Sequence, residues 1–149
     1  ARAIVNARNE TPLTTTGELS SLVDACVPTR EPGKHPATRT FQALRLFINQ
    51  ELAELDAVLP QALDMLEPGG RLVIISFHSL EDRRVKRFFQ DAAKCDPFPP
   101  DLPIRAKEIS PVILRPSRPQ RPSEGEISDN PRARSAILRW AQKSPSRQI

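Results

Sequence analysis

Residues Leu72-Val73-Ile74-Ile75-Ser76-Phe77 are a short, almost wholly apolar and β-branched run. It lies between Pro68-Gly69-Gly70 and a polar stretch, His78-Ser79-Leu80-Glu81-Asp82-Arg83. A proline followed by two glycines ends a helix, and the run after it is too short and too β-branched to be another. Continuous hydrophobicity without alternation predicts a strand buried on both faces, as in a parallel sheet covered by helices. Polar groups just beyond the carboxyl end of such a strand lie where open α/β folds bind ligands. Ser76, His78, Ser79, Glu81 and Asp82 are therefore the candidate catalytic side chains, with Arg83 beside them as a phosphate contact. A structural reading stands next to this one. A histidine at a strand end is commonly a hydrogen-bonded framework residue, and carboxylates in a first helical turn complement the helix dipole.

The flanking pattern is helical upstream and mixed downstream. Ala1–Arg8 reads as the interior of an uncapped helix with no initiating methionine, the expectation for a piece of a longer protein. Thr15 and Glu18 have capping-box spacing ahead of an apolar face of Leu19, Leu22, Val23 and Cys26, which Pro28 ends. Residues 28–36 read as a loop. Thr38 is the predicted cap of a long helix whose stripe runs Phe41, Leu44, Ile48, Leu52, Leu55, Leu59, Leu63, Leu66. Pro60 predicts a kink in it, or a second helix beginning there. The opposite face carries Arg39, Gln42, Arg45 and Asn49, either a solvated surface or one that faces RNA.

After the strand, Ser79 with Asp82 is the predicted cap of a helix that buries Val85, Phe88 and Phe89. A proline-rich connection over 95–103 leads to a strand at 109–114, with Pro111 at its start or on an edge. Residues 115–126 read as an exposed, mobile loop, and Ser135–Ala141 as a last strand anchored by Ile137 and Trp140. Before that strand, Asn130-Pro131-Arg132-Ala133-Arg134-Ser135 is either a turn or a phosphate clamp formed by Arg132 and Arg134. The tail from Ser144 is expected to be disordered.

Composition narrows the classes. The 149 residues suffice for one domain with a core or for parts of two. Lysine and arginine number 22 against 18 acidic residues, a balance that permits nucleic acid as a partner. Cys26 and Cys95 lack any Cys-x-x-Cys or Cys/His spacing, so neither a metal site nor a disulfide frame is predicted. No run reaches membrane length and no signal peptide opens the chain, so a cytoplasmic location is expected. None of the five glycines forms a Gly-x-Gly turn between a strand and a helix. A cofactor-cradling loop is therefore not expected here.

Five segments together carry a resemblance: Thr14-Thr15-Thr16-Gly17-Glu18-Leu19, His35–Arg45, Asn49-Gln50-Glu51-Leu52, Gly69–Arg83, and Asn130–Ser135. In this order they resemble the bacterial small-subunit rRNA (cytosine-N4)-methyltransferase family, with Cys95–Gly125 as the divergent part. The resemblance implies an α/β fold: the second half of a Rossmann-like methyltransferase core preceded by part of a helical insertion domain. On that reading residues 1–48 belong to the insertion, 49–143 to the core, and 144–149 to the tail. The last two strands would form an antiparallel pair. S-adenosylmethionine would be the methyl donor, held mainly by residues upstream of Ala1, with no cofactor-binding residue in this chain. Small-subunit ribosomal RNA would be the substrate, gripped by Arg39, Arg45, Arg83, Arg132 and Arg134. The amine of cytosine is a poor nucleophile, so such an enzyme must align it and take up its proton. Half of a wound sheet exposes a strand edge, which predicts pairing with the upstream segment or with a second copy as a homodimer. Two other readings stand beside this one: a non-catalytic, basic RNA-binding α/β module, and an α/β interaction domain whose charges are merely solvated.

Overall fold

The computed structural model describes residues 1–28, 32–94 and 111–145. These fall into two compact units, Ala1–Glu51 and Leu52–Ile149. The first is helical: α1 (Arg2–Glu10), α2 (Thr16–Cys26) and α3 (Thr38–Ile48). α2 starts as its spacing predicts. Thr15 Oγ1 accepts from the Glu18 amide, and the Glu18 carboxylate accepts from the Thr15 amide. α3 starts differently from expectation. Its cap position is Ala37, Thr38 is already helical, and His35 Nδ1 accepts the Ala37 amide. No side chain caps the first turn of α3.

The long apolar stripe is two helices, and the break is not at Pro60. α3 ends at Ile48 and α4 runs Glu51–Met65 with Pro60 inside it. The chain turns at Asn49-Gln50, where Gln50 takes a left-handed φ of 52°. A left-handed residue ends a helix, whereas Pro60, despite its missing amide hydrogen and ring clash, is carried inside α4.

In the second unit, β1 (Arg71–Ser76) and β2 (Ile137–Gln142) form an antiparallel ladder, with Ser76 opposite Ile137 and Arg71 opposite Gln142. α5 (Ser79–Ala92), α6 (Glu124–Asp129) and a 3-10 turn (Pro131–Ser135) complete it. Leu59 and Leu63 of α4 and Val85 and Phe89 of α5 pack with Ile113 and Ala141, and Leu72 and Ile74 join them from β1. These helices therefore cover one face of the sheet. Val73 and Ile75, on the other face, are each 54% exposed. Half of a wound sheet leaves such an apolar face and a strand edge uncovered. Among the described residues β1 pairs only with antiparallel β2, and one face alone is covered.

The turn into β1 needs both its glycines. Gly69 has φ of 82°, and a Cβ on Gly70 would come within 2.9 Å of the Glu67 carbonyl. Lys143, just past β2, donates its ammonium to the carbonyls of Asp64 and Leu66, so a cation occupies the carboxyl end of α4.

Three further expectations change downstream. The strand at 109–114 appears within the described residues only as one antiparallel bridge, Ile113 to Lys143, and 109–110 lie outside them. Residues 115–126 are not a free loop. The Ser117 and Gln120 amides donate to the carbonyls of Trp140 and Leu138, and 124–126 open α6. The proline and arginine composition of this segment hid a backbone bound to β2. Ser144, expected in a disordered tail, donates its amide to Val112 and its hydroxyl to Pro111. The predicted 95–103 connection and residues 146–149 lie outside the described residues.

Phe89 is buried to 1% while Met65 is 88% exposed. Phe89→Ala should lower unfolding free energy by about 3–5 kcal/mol, from lost burial and the cavity left behind. Met65→Ala should change it by less than about 0.5 kcal/mol. Denaturant titration followed by circular dichroism measures both, and equal effects would refute this placement of the core.

Candidate functional site at the carboxyl end of β1

The segment leaving β1 is ordered by its own side chains. His78, rather than the expected Ser79, caps α5: its Nδ1 accepts the Glu81 amide at 3.3 Å. Glu81, rather than Asp82, completes the reciprocal box. Its Oε2 accepts the Phe77 amide at 3.0 Å and the His78 amide at 3.2 Å. Histidine is not among the favoured capping residues, but Nδ1 stands about where an asparagine oxygen would. Because Nδ1 accepts, the neutral ring carries its proton on Nε2, which lies 3.2 Å from Glu81 Oε1. Ser76 is buried at the end of the strand, and Ser79 is exposed.

Asp82 faces elsewhere. Its two oxygens accept from Arg139 Nε at 2.7 Å and Nη2 at 3.0 Å, a bidentate pair joining α5 to β2. That guanidinium holds the Asp82 carboxyl below its usual range; partial burial opposes the effect, and Lys86 and Arg121 add to it. In this arrangement the lone pairs of His78 Nδ1, Glu81 Oε2 and both Asp82 oxygens are engaged in holding backbone or a guanidinium. These bonds fix the shape of the loop.

Basic side chains gather nearby. A groove of about 400 Å³ between α4 and α5 is lined by Leu80, Arg83, Arg84, Arg87 and Phe88, with Asp56 paired to Arg84. Arg83 is exposed at its rim. Ser76 stands opposite Ile137, so the 3-10 turn ending at Ser135 lies off the same end of the sheet as His78. Arg132 and Arg134 are exposed on that turn, which Asn130 caps by accepting the Arg132 amide. The structure thus brings Ser76, His78, Ser79, Glu81, Arg83, Arg132 and Arg134 to one end of β1 and β2, while the Asp82 carboxylate turns inward to Arg139, opposite Ile74. Arg39 and Arg45 belong to the first unit, where Arg45 pairs with Glu51 at 2.8 Å.

Arg139 is a site residue that the spacing of the polar run does not reveal, because its partner Asp82 lies 57 residues away. Its signal was a lone arginine in an apolar strand, which demands an acidic partner when half-buried.

The model of the MraW methylase family matches residues 1–144. The chain belongs to the MraW methylase family. Within that family it is similar to proteins named ribosomal RNA small subunit methyltransferase H. The one from Dechloromonas aromatica strain RCB is 56% identical over 144 residues, covering 96% of this chain and 47% of the relative. That from Azoarcus sp. strain BH72 is 55% identical over 144 residues, covering 96% and 46%. That from Coxiella burnetii strain RSA 331 is 57% identical over 143 residues, covering 96% and 46%. This MraW family chain therefore spans about half the length of the curated relatives it matches. Among its described residues, no helix is long and apolar enough to cross a membrane.

The Asp82 carboxyl is held below its unfolded value, so its stabilising effect is complete above about pH 4 and is lost as pH falls through the lower folded value. Asp82→Asn should lower stability by about 1–3 kcal/mol at pH 7, because Arg139 is left without its charged partner. The difference between the two proteins should shrink steadily below pH 4. Urea titrations at pH 7 and pH 3 measure it, and a difference constant with pH would show that the pair contributes nothing.

Proposed function

We propose that this chain is the RNA-facing part of a methyltransferase that modifies the N4 amine of a cytosine in small-subunit ribosomal RNA. Membership in a methylase family and relatives named for small-subunit rRNA support the reaction class and the substrate. The observation that carries the assignment to this end of the sheet is the Ser76–Arg83 segment. It is locked by one reciprocal capping box, His78 with Glu81, and flanked by exposed arginines at a strand's carboxyl end. Residues 1–48 are read as part of a substrate-recognition insertion and 49–143 as the late strands and helices of the core, in a cytoplasmic protein.

A methylase family implies S-adenosylmethionine. The described residues do not fit that donor as a primary site. β1 passes to α5 through Phe77-His78 with no glycine, and the first amides of α5 are satisfied by its own capping box. Arginines line the neighbouring groove and would repel a sulfonium. Donor binding is therefore assigned to the part of the relatives' length that this chain does not span.

What these residues do is bind and orient. Arg83, Arg132 and Arg134 hold phosphates of an RNA segment splayed so that one base leaves its stack. The capped loop forms a rigid wall against that base, aligning its amine so that its weak lone pair points along the line of attack. His78 is then a positioning residue whose lone pair holds the loop. The alternative, a basic RNA-binding module without catalysis, uses the same arginines but places no demand on the loop.

The test uses the intact protein and small-subunit rRNA. His78→Ala, which loses the cap, should cut methyl incorporation by about a hundredfold, the scale of a small misplacement at the site. His78→Asn, which keeps a cap acceptor, should restore it to within a few-fold of wild type. An inactive His78→Asn that stays folded would mean the imidazole itself reacts. A fully active His78→Ala would remove the loop from the site.

A further inference from the structure

Residues 115–123 read Arg-Pro-Ser-Arg-Pro-Gln-Arg-Pro-Ser, an arginine and a proline recurring every third position. The structure gives that period a physical meaning. Leu114, Ser117 and Gln120, also three apart, donate their amides to the carbonyls of Gln142, Trp140 and Leu138, which are two apart. The segment therefore lies along the edge of β2 opposite β1 as a strap that advances three residues for every two of its neighbour. The Trp140 amide returns a bond to Ser117 Oγ, and Leu138 returns one to the Gln120 carbonyl. Each repeat thus has a residue bonded to β2, followed by an arginine and by a proline that has no amide hydrogen to leave unpaired.

The arginines at the remaining position of each repeat, Arg115, Arg118 and Arg121, are all exposed. Among the described residues none of the three is in an ion pair or a side-chain hydrogen bond. Two residues of an antiparallel strand span roughly 7 Å, so guanidinium groups recur along the strap at about that interval. Such a spacing is comparable to that of successive phosphates on an extended single strand of RNA. Guanidinium forks suit phosphate oxygens, and the backbone bonds to β2 hold their origins in place before any ligand arrives. From Arg121 the chain runs on through α6 to Arg132 and Arg134, so the row leads toward the carboxyl end of β1.

We propose that the Arg115-Arg118-Arg121 row on this strap is a phosphate rail that binds the backbone of single-stranded RNA entering the site. The proposal rests on the RNA-substrate reading above and adds a surface that lies outside the Ser76–Arg83 loop. It assigns the strap no part in chemistry.

The test compares the intact protein with a triple variant, Arg115→Gln, Arg118→Gln and Arg121→Gln, for binding a labelled single-stranded RNA of about a dozen nucleotides, followed by fluorescence anisotropy across a salt series. Losing three phosphate contacts should reduce the slope of log affinity against log salt by about 2 and weaken binding roughly ten- to a hundredfold at 0.1 M salt. The three side chains are exposed and in no ion pair or side-chain hydrogen bond, and Arg121 acts on Asp82 only as the last of its cationic neighbours, so thermal unfolding should move little, which reports that the strap stays docked. An unchanged affinity and salt slope in the triple variant overturns the rail while leaving the methyltransferase reading intact. Failure of the wild-type protein to bind any RNA overturns that reading first.

Discussion

The antiparallel ladder between β1 and β2 is the constraint on which the second unit depends. Its register, Ser76 opposite Ile137, decides what stands beside the capped loop. A slip of one residue would turn every side chain of β2 to the other face. Ala141 would leave the core it shares with Phe89 and Val85, and Arg139 would turn away from Asp82. Charge and packing therefore specify one register twice over. The same ladder presents Lys143 to the last carbonyls of α4, so a helix end is satisfied by a residue far away in sequence.

Much of this was legible in the residues. The Thr15–Glu18 box, the turn at Gly69-Gly70, the strand at 72–76 and the buried side of α5 all follow from local spacing. Local rules failed where two side chains competed for one role. Ser79 is the better capping residue by preference, yet His78 caps, because the chain turns one residue earlier and Glu81 reaches back to two amides. Pro60 looked like the break in the long stripe, but Asn49-Gln50 breaks it through a left-handed backbone that no apolar pattern encodes.

The candidate site was only half legible. The residue types were visible in one run of sequence, and the structure gathers them at one end of the sheet. Their engagement was not visible. Asp82 stands in the run as a candidate acid or base, and nothing near it announces that Arg139, 57 residues on, bonds both its oxygens. Partners that distant are brought together by topology, and topology is what single-sequence reasoning sees least. The proline-rich segment misled for a related reason. Composition argued for a loop, while a three-residue period matched to a neighbouring strand supplied backbone bonds that composition does not register.

The prolines of the strap also determine how this sheet can grow. Of every three backbone positions there, one already donates to β2 and one has no hydrogen to give. Lateral addition of another strand on that flank is chemically starved, whereas the far side of β1 retains a full complement of main-chain donors and acceptors among the described residues. The polypeptide is thereby directional: whatever extends it, whether its own further sequence or a neighbouring molecule, is steered to a single margin and away from the arginine row.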